Sequence, residues 1–319
     1  MAVYTEVTTE ALDSFLKSYD VGKVLSFKGI AGGVENTNYL LHTDQASYIL
    51  TLYEKRVAKE YLPFFLGLMN HLSDNGFACP APVADREGKM LAELEGRPAA
   101  LISFLEGMEV SKPSIKQTRM AGATMAKLHE AAYDFEIKRK NALDPSGWPA
   151  LVRENVDQAD SVEAGLADLI TNELAFIQSR WPESIPSGVI HADMFKDNVF
   201  FLNDELSGVI DFYFACNDFL AYDLAVAINA WCFNDDLSFN RATCEAMMEG
   251  YQSVRHLTDD EKKALPTLAR GAALRFLLTR LNDWLNVPPG ALVVPHDPKA
   301  FSARLRFFQN ADASIFGAS

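Results

Sequence analysis

The run His191-Ala192-Asp193-Met194-Phe195-Lys196-Asp197-Asn198, followed by Val209-Ile210-Asp211-Phe212, holds the residues best suited to chemistry. Asp193 and Asn198 stand at D-x-x-x-x-N spacing, and Asp211 follows one apolar strand later. Phosphoryl transfer asks little covalent help of a protein; it needs a carboxylate beside the attacking hydroxyl, oxygen ligands for Mg²⁺, and positioning. Asp193 would orient an acceptor hydroxyl and take its proton, while Asn198 and Asp211 would hold Mg²⁺ across the β- and γ-phosphates of ATP. His191 would hydrogen-bond the loop into shape. In the blander alternative His191 and Asp193 cap a turn and Asp211 ends a hairpin, but the joint spacing between apolar strands favours the chemical reading.

The elements that must carry this loop follow from hydrophobic period. Leu12, Phe15, Leu16 and Tyr19 mark one helical face over Thr9 to Tyr19. Lys23 to Ile30, Asn38 to His42 and Ser47 to Tyr53 are short β-type runs bounded by Gly32-Gly33 and Thr43-Asp44-Gln45, which predicts antiparallel strands. A helix follows over Ala58 to Asp74, stopped by Asn75-Gly76, and Pro98 to Phe104 is another apolar strand. Beyond Leu105-Glu106-Gly107 the period is mostly helical: Gln117 to Ala132, Leu151 to Trp181, Asp218 to Phe233, Phe239 to Val254 and Asp259 to Leu285, the last opened by Thr258 and Glu261 in capping-box spacing. Short strands, Gly188 to His191 with Val199 to Leu202, and Ser207 to Phe212, lie between the second and third of these helices. The expected class is α+β, with a strand-rich lobe over residues 1–105 and a helical lobe over 106–319 that holds the catalytic loop.

At 319 residues the chain is long enough for two lobes, and 49% hydrophobic with 23% charged residues leaves little room for long disordered tracts. Its 29 basic and 43 acidic side chains give a net charge of −14, a field that repels nucleic acid and anionic membranes. A phosphate-using site must therefore be built from metal or local cations against the overall field. The four cysteines show no metal-ligand spacing and are expected to be reduced thiols. Residues Met1 to Asp20 lack the basic and apolar regions of a signal peptide, and no apolar run reaches membrane-spanning length, so the cytoplasm is the expected compartment.

The catalytic run resembles the aminoglycoside phosphotransferase and choline kinase superfamily, whose loop usually reads H-G-D-x-x-x-x-N followed by an I-D-x step. Within it, Gly32-Gly33-Val34-Glu35-Asn36-Thr37-Asn38-Tyr39, Tyr48-Ile49-Leu50-Thr51-Leu52-Tyr53-Glu54-Lys55-Arg56 and Val209-Ile210-Asp211-Phe212-Tyr213-Phe214-Ala215-Cys216-Asn217-Asp218 look like the homoserine kinase family, and the likeness spans nearly the whole chain. The resemblance implies a protein-kinase-like bilobal fold and transfer of the ATP γ-phosphate to the side-chain hydroxyl of L-homoserine, a step in threonine biosynthesis. It implies ATP and Mg²⁺ as cofactors and a monomer or homodimer with no nucleic-acid or membrane partner. Choline, ethanolamine, methylthioribose or an aminoglycoside are the alternative acceptors, and an inert nucleotide-binding regulator is the alternative class.

The same resemblance implies a nucleotide site. Gly32 and Gly33 would cover the phosphates, with Asn36, Thr37 and Asn38 adding hydrogen bonds, or the glycine pair is a plain hairpin turn. The backbone around Ser103, Phe104 and Leu105 would bind the adenine edge as a hinge, or simply be buried strand. Thr51 stands where many relatives carry a Lys or Arg, so Lys55 or Arg56 reaches in, or metal and backbone suffice, or both cations face water. Lys196, in place of a common Pro, would touch the γ-phosphate or face water. Asp223 matches an acid that braces the catalytic loop, or caps its helix; Leu128-His129 matches a packing pair. For the amino-acid acceptor, Arg270, Arg275 and Arg280 are candidate carboxylate contacts and Asp218 and Asp283 ammonium contacts, with Tyr213, Tyr222, Trp231 or Trp284 as walls. An Arg at 275 can equally belong to the apolar face of its helix.

Overall fold

The computed structural model describes residues 4–30, 36–54, 58–287 and 295–317. The Thr8 side chain accepts a hydrogen bond from the N–H of Ala11 and opens helix α1 (Thr9–Leu16), whose buried face is Leu12, Phe15 and Leu16. Beneath it lies an antiparallel sheet of β1 (Val24–Gly29), β2 (Thr37–Thr43), β3 (Ser47–Leu52), β4 (Ala92–Leu94) and β5 (Arg97–Ser103), in the order β1-β2-β3-β5-β4. Burial alternates along β2, so Tyr39 and Leu41 join Leu50, Leu52, Ala99 and Leu101 in a small core under α1. The opposite face, including Ala100 and Ile102, packs with helix α2 (Leu62–Asp74) into the main hydrophobic core, which continues through the helical part of the molecule. The predicted start of α2 at Ala58 is early by one turn. Lys59–Tyr61 forms a 3₁₀ turn, and Pro63 in the first turn of the helix sets where α-helix can begin.

After β5 the chain crosses to a second part through a short bridge of Met108 with Phe201. There follow α3 (Ile115–Ala131), α4 (Trp148–Ala159), α5 (Leu166–Gln178), β6 (Ser187–Ile190), β7 (Val199–Leu202), β8 (Glu205–Val209), β9 (Cys216–Phe219), α6 (Leu220–Trp231), α7 (Arg241–Gln252), α8 (Asp259–Leu285) and α9 (Lys299–Asn310). Helices α3 and α7 approach so closely that a Cβ on Gly122 would lie 2.2 Å from the Met247 carbonyl oxygen, and one on Gly250 would lie 2.0 Å from that of Arg119. That approach brings His129 of α3 against Tyr251 of α7.

Three expectations need correction. The long helix over Leu151 to Trp181 is two helices, because the chain turns between them and Gly165 takes a left-handed φ of 78° at the start of α5. Asp218 lies in β9 rather than opening α6, and β9 pairs with β6; β7 pairs with β8 instead, through Asn203-Asp204, both at positive φ as a two-residue hairpin turn demands. Helix α9 was not anticipated, although Phe301, Leu305 and Phe308 recur at helical spacing after Pro298.

Candidate active site

The β6–β9 ribbon ends where the catalytic run begins, and the run is held from below by one fully buried carboxylate. Asp223, in the first turn of α6, accepts hydrogen bonds from the N–H of His191 (2.9 Å, Oδ2) and of Ala192 (2.8 Å, Oδ1). Of the two readings of Asp223, the structure therefore puts it under the loop. Its Oδ2 also lies 3.0 Å from His129 Nε2, and His129 Nδ1 lies 2.9 Å from the Tyr251 hydroxyl, which accepts from Arg255, itself paired with buried Glu261. Burial alone would raise the Asp223 pKa, but the hydrogen bond and charge of His129, with His191, outweigh it and hold the carboxyl below its usual range.

His191 ties the two halves of the site together. Its Nε2 lies 3.0 Å from the Ile210 carbonyl oxygen and its Nδ1 accepts from the N–H of Asp193 at 3.3 Å, a pair of bonds that suits the neutral ring. Burial lowers its pKa in the same sense. Ala192 stands at φ 63°, in the left-handed region, with its carbonyl oxygen accepting from Arg275. Asn198 donates through Nδ2 to the Asp193 carbonyl (2.8 Å) and to Asp193 Oδ2 (3.3 Å), so its amide oxygen is the atom that could ligate a metal. Across the β7–β8 pair the Ile210 N–H donates to the Asn198 carbonyl at 3.0 Å, and the next residue, Asp211, turns out of the strand at φ 65°. Asn198 is thus bonded to Asp193, and Asp211 follows directly on the residue whose backbone is bonded to Asn198.

On the nucleotide side, Gly32, Gly33 and Lys55 lie outside the described residues. Asn36 and Thr37 are buried and committed: Asn36 Oδ1 accepts from the Glu54 N–H, and Thr37 Oγ1 accepts from Tyr4 and Thr5 and donates to Glu54. Asn38 Oδ1 accepts from Thr51 Oγ1 at 2.9 Å, so the residue in the place of the usual cation is hydrogen-bonded into its own sheet. Thr51 also meets the Tyr213 phenol, which lies 3.3 Å from that of Tyr53. In the expected hinge, the N–H groups of Ser103 and Phe104 are spent on Ala81 and Ser47.

The expected substrate residues divide into two places. Arg275, only 2% exposed, and Tyr222, with no exposed surface, lie beneath the loop near Asp218, whose carboxylate accepts from Asn141 (2.7 Å) and from the Phe219 N–H. Burial raises the pKa of Asp218. Tyr213 and Arg275 line a cavity of about 250 Å³ with Tyr61, Phe65, Arg139 and Phe214. Arg270 is locked to Glu173 by two bonds of 2.5 and 2.6 Å. Arg280, in contrast, lies within electrostatic reach of Asp193: burial lowers its pKa, and the charges of Asp193, Asp197 and Asp297 oppose that shift. A second cavity, of about 220 Å³, opens beside the catalytic run and is lined by Glu109, Val110, Ser111, Phe195, Lys196, Asp197 and Ala230. Lys196 is half-buried there, its pKa lowered by burial and then by Arg304. Arg304 belongs to α9, and no reading of the motifs pointed to it.

A model of a phosphotransferase enzyme family matches residues 26–257. The chain belongs to this phosphotransferase family. Among its relatives, a homoserine kinase of Rhizobium etli is 58% identical over 320 residues, covering 100% of both chains, and one of Sinorhizobium medicae is 57% identical over 96% of this chain and 94% of its own. A solved spectinomycin phosphotransferase, in complex with ADP and spectinomycin, superposes at TM-score 0.69 with 17% identity, over 98% of this chain and 99% of that one. Choline kinase from Cryptosporidium parvum superposes at 0.67 with 13% identity, over 95% and 94%. The expected protein-kinase-like fold is the fold observed. Within the described residues of this phosphotransferase no helix is long and apolar enough to cross a membrane, and no group of three or more His, Cys, Asp or Glu side chains forms a metal cluster.

Proposed function

We propose that the chain is a homoserine kinase that transfers the γ-phosphate of ATP to the side-chain hydroxyl of L-homoserine. The observation that carries the acceptor is full-length identity of 55–58% to homoserine kinases; the loop geometry supports the reaction type. Asp193, fixed by Asn198 and by the Asp223-bound backbone, would accept the proton as the hydroxyl oxygen bonds to the γ-phosphorus. The bond from that phosphorus to the bridging oxygen breaks, and ADP leaves.

The residues present fit a hard cation. The Asn198 amide oxygen and the Asp211 carboxylate offer two oxygen donors, as Mg²⁺ uses when phosphates and water complete its shell. Bound between them, Mg²⁺ would neutralise charge developing on the phosphate oxygens. Of the three hinge residues, Leu105 is the one whose N–H has no protein acceptor among the described residues, so it would meet the adenine edge. Lys196 would reach the transferred phosphate from the cavity beside the loop, where Glu109 and Asp197 supply the opposite sign for a zwitterionic acceptor. The buried Arg275 and Tyr222 support the loop in this reading, and Arg280 takes the acceptor side.

Coupled ADP release over L-homoserine, choline, ethanolamine, methylthioribose and kanamycin tests the assignment. Homoserine should be the only good acceptor. Robust turnover confined to another alcohol would overturn the acceptor and leave the reaction class standing.

A further inference from the structure

We infer that Arg280 and Arg304 together form the receptor for the α-carboxylate of the acceptor, and that this pair selects an amino acid over the corresponding amino alcohol. The inference rests on the homoserine reading above and assigns it a specificity device.

Helices α8 and α9 bring two guanidinium groups onto one ring: Arg280 lies 4.6 Å and Arg304 4.4 Å from the Phe301 centroid. Arg304 also lies over Phe233 at 5.3 Å. Stacking on aromatic faces stabilises each cation in part, but it does nothing to relieve the repulsion between them. Among the described residues neither Arg280 nor Arg304 has an acid within ion-pair distance, and Arg304 Nε is buried without a hydrogen-bond partner. On the same two helices Arg270 is paired with Glu173 and Arg306 with Glu163. Two partly buried like charges and an orphaned donor make a place that is short of one anion.

The electrostatics agree. Burial and then the charge of Arg280 pull the Arg304 pKa down to about 10, and Lys196 is lowered in turn by burial and by Arg304. The negative groups that reach the cluster are Asp193, Asp197 and Asp297 toward Arg280, and Asp235 toward Lys196, which also pairs with Lys112; none of them is a cause of the Arg304 shift. A planar carboxylate can accept from both forks at once. The charge of Asp193 acts on Arg280, so the receptor lies within electrostatic reach of the group assigned to take the hydroxyl proton. Homoserine carries its carboxylate and its hydroxyl at opposite ends of one short chain, which matches that juxtaposition.

The decisive comparison uses L-homoserine and 3-aminopropan-1-ol, the same molecule without its carboxylate. In Arg304→Met, kcat/KM for homoserine should fall about 10- to 100-fold, chiefly through KM, the scale of a lost charge-assisted hydrogen bond. The value for 3-aminopropan-1-ol should change less than about threefold, since uniform damage is not expected when only one contact is removed. Arg304→Lys should recover part of the homoserine loss. Equal losses on both substrates, or no loss on either, would overturn the receptor while homoserine remained the wild-type acceptor. A wild-type enzyme that prefers an alcohol lacking a carboxylate would remove the homoserine reading and the receptor together. Should Arg304→Met not fold, the unmutated protein serves: L-2-aminobutanoate should slow phenylglyoxal labelling of Arg280 and Arg304, mapped by mass spectrometry, and propylamine should not. Equal labelling with both would overturn the inference.

Discussion

Asp223→Asn removes charge and one acceptor from the point that carries the catalytic loop, with little change in shape. The carboxylate takes three bonds, at 2.8, 2.9 and 3.0 Å, with no solvent to replace them. Alanine would strand all three partners, each at about 1–3 kcal/mol, against a total stability of about 5–15 kcal/mol, so that variant risks unfolding. Asparagine keeps one acceptor oxygen. In either amide orientation its NH₂ faces a backbone N–H, of Ala192 or of His191, and one buried donor is left unpaired. The cost should be about 1–3 kcal/mol, or a fall in Tm of roughly 1.5–4.5 °C for a chain of this length. Displacement of Asp193 by the order of an ångström should lower kcat about 10²-fold. KM for ATP should change little, because Asp223 lies beneath the loop rather than against the nucleotide. Thermal melting and coupled kinetics read both effects; a Tm within about 1 °C and a kcat within about twofold of wild type would refute the bracing role.

Asp193→Asn should preserve folding and ATP binding while lowering turnover by at least about 10²-fold in a coupled assay. Asp211→Ala should weaken Mg²⁺-dependent ATP binding by calorimetry, and unchanged metal dependence would remove it from the ligand set. His191 is held neutral by burial, so as pH falls through about 6.5 the unfolded chain gains a proton that the folded one refuses; stability should be full above that pH and lost below it. Equal melting temperatures at pH 7.5 and 5.5 would contradict this. Gly122→Ala should destabilise by about 1–3 kcal/mol in urea titration, because the Met247 carbonyl occupies the space a methyl needs.

The D-x-x-x-x-N spacing was enough to pair Asp193 with Asn198, and the later Asp was enough to find the residue that follows the strand bonded to Asn198, because those positions are set by local backbone. Strand and helix periods were enough for four of the five strands of the sheet, though not for β4, and for most of the helices. What sequence could not give was tertiary commitment. Asn36, Thr37 and Asn38 look like loop donors for phosphate, yet pairing of β2 with β3 and the hub at Glu54 turn them inward. Arg270, Arg275 and Arg280 are equivalent as letters on one helix, but Glu173 claims the first and the Ala192 carbonyl the second, while the third lies within electrostatic reach of Asp193. Arg304 was missed because α9 was missed, and its place beside Lys196 depends on how α8 and α9 pack. Ala192, in place of the usual glycine, holds a left-handed φ only because Asp223 and Arg275 grip the peptide on either side.

The most direct test of the central claim is ³¹P NMR of the enzyme with MgATP and L-homoserine. A phosphomonoester signal should grow as the γ-phosphate signal declines, with wild type but not with Asp193→Asn. Steady loss of γ-phosphate to inorganic phosphate alone, or an equal rate of ester formation by the variant, would contradict it.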